Sequence, residues 1–248
     1  MYSEDPTNPA KRIEEFKNLI AEIHKRGMGV ILDVVYNHTA DLAILEDLEP
    51  NYYHFMEADG TVKTSFGGGR PGTTHYMTRR LVLDSIAYWV DEFKVDGFRF
   101  DMMGDLDAET VHMAYDTAKA LNPNIIMLGE GWISYAGDAN DSRQPADQTW
   151  MSQTDSVASF SDDIRNLLKS GYPSEGAAAF ITGGAKDLQT LFNNIKAQPS
   201  NFTADDPGDV IQYIAAHDNL TLHDVIAKSI QKDQLLLKMK QKSNVVCV

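Results

Sequence analysis

Three carboxylates, one arginine and two histidines stand where apolar runs of this 248-residue chain come to an end. Asp101 follows Gly97-Phe98-Arg99-Phe100, Glu130 closely follows Ile125-Ile126-Met127-Leu128, and Asp218 lies past the run from Val210 to Ala215. His38 comes after Val30-Ile31-Leu32-Asp33-Val34-Val35 as part of Asn37-His38, and His217 immediately precedes Asp218. Arg99 and Asp101 are two residues apart in an extended segment, so their side chains share a face. Such a set suits glycoside cleavage. One carboxylate attacks or stabilises the anomeric carbon, and a second, kept protonated by its surroundings, donates to the leaving oxygen. A third acid nearby raises the donor's proton affinity and binds hydroxyls, and a cation beside the nucleophile keeps it ionised.

Read singly, each residue has an ordinary explanation. Asp218 caps the helix that follows it, Asp101 pairs with Arg99 in the core, and His38 is a satisfied structural histidine. Trp132 packs, and Gly67-Gly68-Gly69, without the Lys-Ser/Thr of a phosphate loop, is a flexible turn. Taken together, these readings leave unexplained why apolar strands repeatedly end in acid, histidine and arginine.

The elements that must position these groups alternate along the chain. Thr7-Asn8-Pro9 marks a helix start, with Asn8 as cap, and Ile13, Phe16, Leu19, Ile20 and Ile23 share one helical face up to Gly27. Val30 to Val35 is a near-continuous apolar run, the pattern of a strand buried on both faces. Residues 41 to 76 form a long polar and aromatic stretch, a length usually kept for function or disorder. A helix from about Thr78 buries Val82, Ile86, Trp89, Val90 and Phe93, and a strand covers Gly97 to Asp101. Asp107 opens a helix through Val111, Ala114, Ala118 and Leu121, stopped at Asn122-Pro123. Strands follow at Ile125 to Leu128, Val157 to Phe160 and Val210 to Ala215. Helices lie around Ile164, Leu167 and Leu168; around Leu188, Leu191, Phe192 and Ile195; and around Leu222, Val225, Ile226 and Ile230.

Strand–helix alternation without internal repeats implies an α/β fold of parallel strands with covering helices, whose ligands sit at the carboxyl ends of the strands. About five strands are legible, where a closed barrel needs eight. Composition narrows the function. With 43% hydrophobic residues the chain can bury a sizeable core, and its net charge of −14 disfavours nucleic acid and anionic membrane surfaces. Cys247 is its single cysteine, which rules out an intrachain disulfide and a cysteine zinc site. No apolar run is long enough to span a membrane, and the N-terminus lacks the pattern of a signal peptide.

Four short segments then carry a family resemblance. Asp33-Val34-Val35-Tyr36-Asn37-His38, Gly97-Phe98-Arg99-Phe100-Asp101, Gly129-Glu130-Gly131-Trp132 and Ala216-His217-Asp218-Asn219 resemble, in order, the four signatures of the alpha-amylase superfamily. The fuller wording Asp96 to Gly104, with Gly129 to Trp132 and Tyr213 to Asn219, looks like that of type I pullulanases, those of streptococci and related Gram-positive bacteria above all. The resemblance covers Tyr2 to about Asp233. It implies a (β/α)8 barrel of which about strands 3 to 7 are present, so residues 1–233 are a partial catalytic barrel and 234–248 a divergent tail without family match.

The resemblance also implies roles. Asp101 is the nucleophile, Glu130 the general acid/base and Asp218 the transition-state stabiliser. His38, Arg99 and His217 hold the glucosyl unit, Trp132 is a stacking surface, and Asp33 and Asn37 orient Arg99 and the surrounding loop. The reaction implied is retaining hydrolysis of alpha-1,6 branch linkages in pullulan, starch or glycogen, with catalytic carboxyls about 5–5.5 Å apart. That chemistry requires no cofactor, although calcium stabilises many relatives. The partners are an alpha-glucan and the barrel strands and domains found in the parent enzyme, which is extracellular or attached to the cell surface. Two rivals remain: another alpha-glucan hydrolase of the superfamily, separated by comparing pullulan with amylose, and a non-catalytic glucan-binding remnant.

Overall fold

The first helix begins where the sequence signals it. In the computed structural model, which describes residues 3–230, α1 runs Pro9–His24 with Asn8 as its cap, the Asn8 side chain accepting from the Lys11 N–H at 3.2 Å. Gly27 leaves the helix at φ +72°, a conformation glycine adopts without steric cost. The apolar face of α1 is less covered than its periodicity implies. Only Ile20 is buried, and Leu19 remains 53% exposed.

The chain divides into two units, Met1–Ser159 and Phe160–Val248. In the first, β1 (Ile31–Val34), β4 (Gly97–Phe100), β5 (Ile126–Gly129) and the start of β6 (Ala158–Phe160) pair in parallel in that order. The register sets Asp33 beside Arg99 and Phe100 beside Gly129. Two of the three crossovers carry an α-helix, α3 (Tyr76–Phe93) from β1 to β4 and α4 (Ala108–Leu121) from β4 to β5, while β5 reaches β6 through a 3-10 segment at Gln148–Gln153. The core lies where these layers meet. Phe98 and Phe100 of β4 are fully buried, as are Ile86 of α3 and Val111, Ala114 and Ala118 of α4.

Four expectations change in this unit. β1 is not buried on both faces: only Val34 is buried and Ile31 is 43% exposed, because β1 pairs with β4 alone among the described residues. Trp89 is half-buried and Leu121 is exposed, so neither joins the core. The stretch 41–76 is built rather than irregular, with a short helix α2 (Ala43–Glu46) and an antiparallel pair β2 (Thr64–Ser65) and β3 (Gly68–Gly69). Gly67 does turn the chain between β2 and β3 at φ +86°, but Gly68 and Gly69 are packing requirements, since a Cβ on Gly68 would lie 1.4 Å from the Thr39 carbonyl oxygen and one on Gly69 2.3 Å from His54 Nε2.

The second unit holds α5 (Asp162–Leu168), α6 (Leu188–Ile195), β7 (Val210–Ile211) and helical residues 222–230, around Ile164, Leu191, Val210 and Val225. The Ser161 N–H donates to the Ile211 carbonyl at 3.0 Å. The strand expected over Val210 to Ala215 stops after two residues. Beyond it, Gln212 Nε2 bonds the Asn194 carbonyl at 2.7 Å and the Tyr213 hydroxyl bonds Arg165, so side-chain ties replace the ladder. The 234–248 tail and Cys247 lie outside the described residues. Among those residues no helix is long and apolar enough to cross a membrane.

Candidate active site

β4 places the centre of the site. Phe98 and Phe100 point into the core, so alternation sends Arg99 and Asp101 the other way. The Asp101 N–H bonds the Val34 carbonyl at 3.0 Å and the Glu130 N–H bonds the Phe100 carbonyl at 3.1 Å. Both ladders therefore run one residue past the strands, and Asp101 and Glu130 arrive at the same level. Asp33 enters from β1 through its register with Arg99.

Arg99 gathers three acids. Its Nη1 donates to Asp33 Oδ1 at 2.9 Å and to Asp101 Oδ1 at 2.8 Å, and its Nη2 lies 2.8 Å from Glu130 Oε1. The planar fork suits this task as a lysine ammonium would not. Burial lowers the proton affinity of Arg99, but its hydrogen bond to Asp101 and the charges of Glu130 and Asp33 outweigh that, and the net direction is upward. The second Glu130 oxygen accepts from the Met102 N–H at 3.1 Å. Met102 itself is left-handed at φ +41°. The Glu130 side chain is 13% exposed and that of Asp101 26%, so both are screened from bulk water yet open at one end.

The remaining expected residues divide. Asn37 is buried, and neither of its amide atoms finds a partner among the described residues, so its expected tie to Arg99 is not seen. His38 Nδ1 is likewise buried without a partner, and its ring faces Phe66 at 5.4 Å. Trp132 is half-buried, with its carbonyl accepting from Ser134 Oγ at 3.3 Å. In the second unit, His217 Nε2 lies 3.4 Å from Asp218 Oδ2, and both side chains are more than half exposed. Asp218 is not the cap of the helix after it. Thr221 serves there, its hydroxyl accepting from the Asp224 N–H at 3.2 Å.

Sequence reasoning missed the groups that brace the Glu130 segment. Asp105 is almost fully buried and accepts from Ser134 Oγ at 2.6 Å and Ser65 Oγ at 3.3 Å, with Arg70 Nη1 3.1 Å away. The same Arg70 nitrogen donates to the Ser134 carbonyl at 3.0 Å. One carboxylate thus joins β2, the turn after β4 and the turn after β5. His75 does similar work between loops, contacting the Tyr52 carbonyl through Nδ1 and Asp138 through Nε2 at 2.7 Å, while Asp138 also accepts from the Met56 N–H at 2.8 Å. None of these partners shows a periodic or motif signal. Among the described residues no group of three or more His, Cys, Asp or Glu side chains is arranged to hold a metal ion.

This arrangement agrees with what the chain resembles. Residues 12–58 match the family model described as the alpha amylase catalytic domain. Pullulanase A of Streptococcus pneumoniae serotype 2 is 72% identical over 94% of this chain. The chain spans 19% of the length of that relative. The catalytic module of SpuA, a multi-modular glycogen-degrading pneumococcal virulence factor, superposes with a TM-score of 0.91 at 72% identity, covering 92% of this chain and 32% of that one. The group B streptococcal pullulanase SAP, solved with maltotetraose, superposes with a TM-score of 0.91 at 68% identity, covering 93% of this chain and 30% of that one. The α/β class and the partial (β/α)8 architecture expected from sequence hold.

Proposed function

We propose, from the premise that this chain corresponds to a segment of a pullulanase catalytic module of the alpha-amylase superfamily, that its strand-end carboxylates carry out retaining hydrolysis of alpha-1,6-glucosidic branch linkages in pullulan, starch or glycogen. The observation that carries this reading is the single guanidinium of Arg99 shared by Asp101 and Glu130 from adjacent parallel strands. Retention needs two carboxyls close enough for one to attack while the other serves the leaving oxygen.

Asp101 attacks the anomeric carbon and forms the glycosyl-enzyme bond, while Glu130 gives its proton to the departing glycosidic oxygen. Water then attacks the same carbon, Glu130 takes the water's proton, and Asp101 leaves. Three carboxylates share one guanidinium, so the cluster carries excess negative charge. Two contacts fix the position of the Glu130 carboxyl, one oxygen on Arg99 and the other on the Met102 N–H. Arg99 and Asp33 hold the geometry of the nucleophile. Asp218 stabilises the positive charge that develops on the sugar ring, and His38, His217 and Trp132 receive the glucosyl unit. The unsatisfied Nδ1 of His38 and amide of Asn37 are polar groups that a sugar hydroxyl or an ordered water would satisfy. No cofactor enters this scheme. The substrate class is an alpha-glucan, as the maltotetraose bound to the SAP relative supports. We place the parent enzyme outside the cell or at its surface, a location supported by its likeness to the streptococcal pullulanases.

The test incubates the 248-residue chain with pullulan and, separately, amylose, beside a Glu130→Gln variant. The expected outcome is maltotriose from pullulan, little cleavage of amylose, and a loss on the order of a hundredfold or more in Glu130→Gln. Equal activity in the variant sinks the assignment of Glu130. Faster cleavage of amylose transfers the chain to another alpha-glucan hydrolase, and glucan binding without cleavage makes it a binding remnant.

A further inference from the structure

A buried lysine is unusual enough to need a reason, because an ammonium loses its hydration and keeps three donors to satisfy. Lys169 is 2% exposed, at the end of α5. Its Nζ donates to the Leu220 carbonyl at 2.7 Å. Glu175, six residues further on, accepts from the Leu220 N–H at 2.9 Å. Both backbone polar groups of one residue are thus held by side chains of opposite charge, reaching from one short stretch of chain. Leu220 lies two residues after Asp218, and Asn219 between them is left-handed at φ +64°. A non-glycine residue in that region persists where its surroundings over-determine it.

The other side of Asp218 is anchored from the same helix. Arg165 of α5 donates to the Tyr213 hydroxyl at 2.8 Å and stacks over the Tyr213 ring at 5.7 Å, and Phe160 packs edge-on against that ring at 5.3 Å. β7 ends at Ile211, so the segment carrying His217 and Asp218 has no ladder to hold it among the described residues. Side chains of α5 and its following turn bracket it instead. Burial pushes the Lys169 ammonium down, the Arg165 cation adds to that, and the Glu175 carboxylate opposes it. The fold keeps a cation where it is electrostatically costly.

We propose that Lys169 and Glu175 are positioning residues that fix the His217–Asp218 segment by clamping both backbone polar groups of Leu220. The proposal rests on the role given to Asp218 in the reading above. It separates these residues from the groups that touch the sugar, since neither is offered a reacting atom.

The test uses the 248-residue chain with pullulan, the variants Lys169→Met and Glu175→Ala, and Lys169→Arg, which keeps a charged donor. Lys169→Met is expected to lower kcat about 30- to 100-fold with KM changed less than about threefold, as for a catalytic group displaced by about an ångström. Lys169→Arg is expected to recover most of the loss, and Glu175→Ala to shift kcat in the same direction as Lys169→Met. Amide hydrogen exchange reads the clamp directly. The Leu220 N–H, which Glu175 holds, should exchange at least about tenfold faster in Glu175→Ala while the amides of β4 keep their rates. An unchanged kcat, or a loss that follows only the folded fraction, overturns the proposal. If the parent chain releases no maltotriose, the assigned reaction falls and Leu220 exchange alone decides the clamp. Equal rates in parent and Glu175→Ala then overturn it, and selective acceleration sustains it.

Discussion

The acids at the end of β4 and β5 and the acid after β7 are held in place by different means. Asp101 and Glu130 are continuations of parallel strands. Their N–H groups complete ladders to Val34 and Phe100, and their side chains converge on the mostly buried Arg99. His217 and Asp218 stand six and seven residues past the end of a two-residue strand, and their side chains are more than half exposed. Their segment is fixed by long side chains from a helix and turn, at Tyr213 and Leu220. Ladder register positions a carboxylate through the cooperative sheet, and a side-chain clamp does so through two or three bonds that a single substitution removes. The first arrangement is stiff. The second can be tuned without disturbing the core.

Breaking the first arrangement should have the largest effect on stability. Arg99→Met leaves Asp33, Asp101 and Glu130 without their shared cation, so we expect a loss of about 3 kcal/mol or more and no measurable turnover. Urea denaturation gives the first quantity. A variant as stable as the parent would mean that the three acids repel less than their geometry implies.

A smaller effect is expected where backbone meets backbone. A Cβ on Gly104 would lie 1.7 Å from the Trp132 carbonyl oxygen, and neither segment has a flexible tip to withdraw. Gly104→Ala should therefore cost about 1–3 kcal/mol and push the segment after Glu130 outward. Thermal melting and the fluorescence of Trp132, compared with a Gly60→Ala control where nothing lies within 4 Å, separate the clash from the general effect of losing glycine. Gly60 sits at φ +84°, so its own substitution reports backbone strain alone.

The smallest effect sharpens the contrast in the second unit. Asp209, just before β7, is buried, and its carboxyl is pushed up to about 6, first by burial, with the Asp205 and Asp206 side chains adding to the rise against their N–H bonds. An acid with a folded value above its unfolded one binds more protons when folded. Its contribution is fully present below about 3.8 and is lost as pH rises through about 6. Stability measured by urea at pH 5 should exceed that at pH 7.5 by about 1 kcal/mol through this group. Asp209→Asn should flatten that difference. An unchanged pH dependence in the variant would assign the slope elsewhere.

Much of the first unit was legible in the sequence. Asn8-Pro9 and Asp107 mark helix starts because capping is local chemistry, and the structure has both as caps. The strand at Gly97 to Phe100 shows because Phe98 and Phe100 alternate with Arg99 and run on to Asp101, while the more apolar run at β1, paired with β4 alone among the described residues, does not share its burial. The pairing of Arg99 with Asp101 follows from strand alternation alone. The bracing by Asp105, Arg70 and Ser134 was not legible, because its members are separated by up to 64 residues and none is marked by type or spacing. The same holds for Lys169, whose charge suggests a solvated surface until the fold closes over it.

The sequence by itself determined which residue types stand at the strand ends, because periodicity and capping depend on near neighbours in the chain. It therefore determined that Arg99, Asp101 and Glu130 would stand at the carboxyl ends of parallel strands. Only the tertiary structure decided that one guanidinium would bind three carboxylates, and that a buried lysine and a glutamate would grip Leu220. Those contacts join residues far apart in sequence. Their cost in desolvation and ordering is recovered only when the surrounding elements have packed.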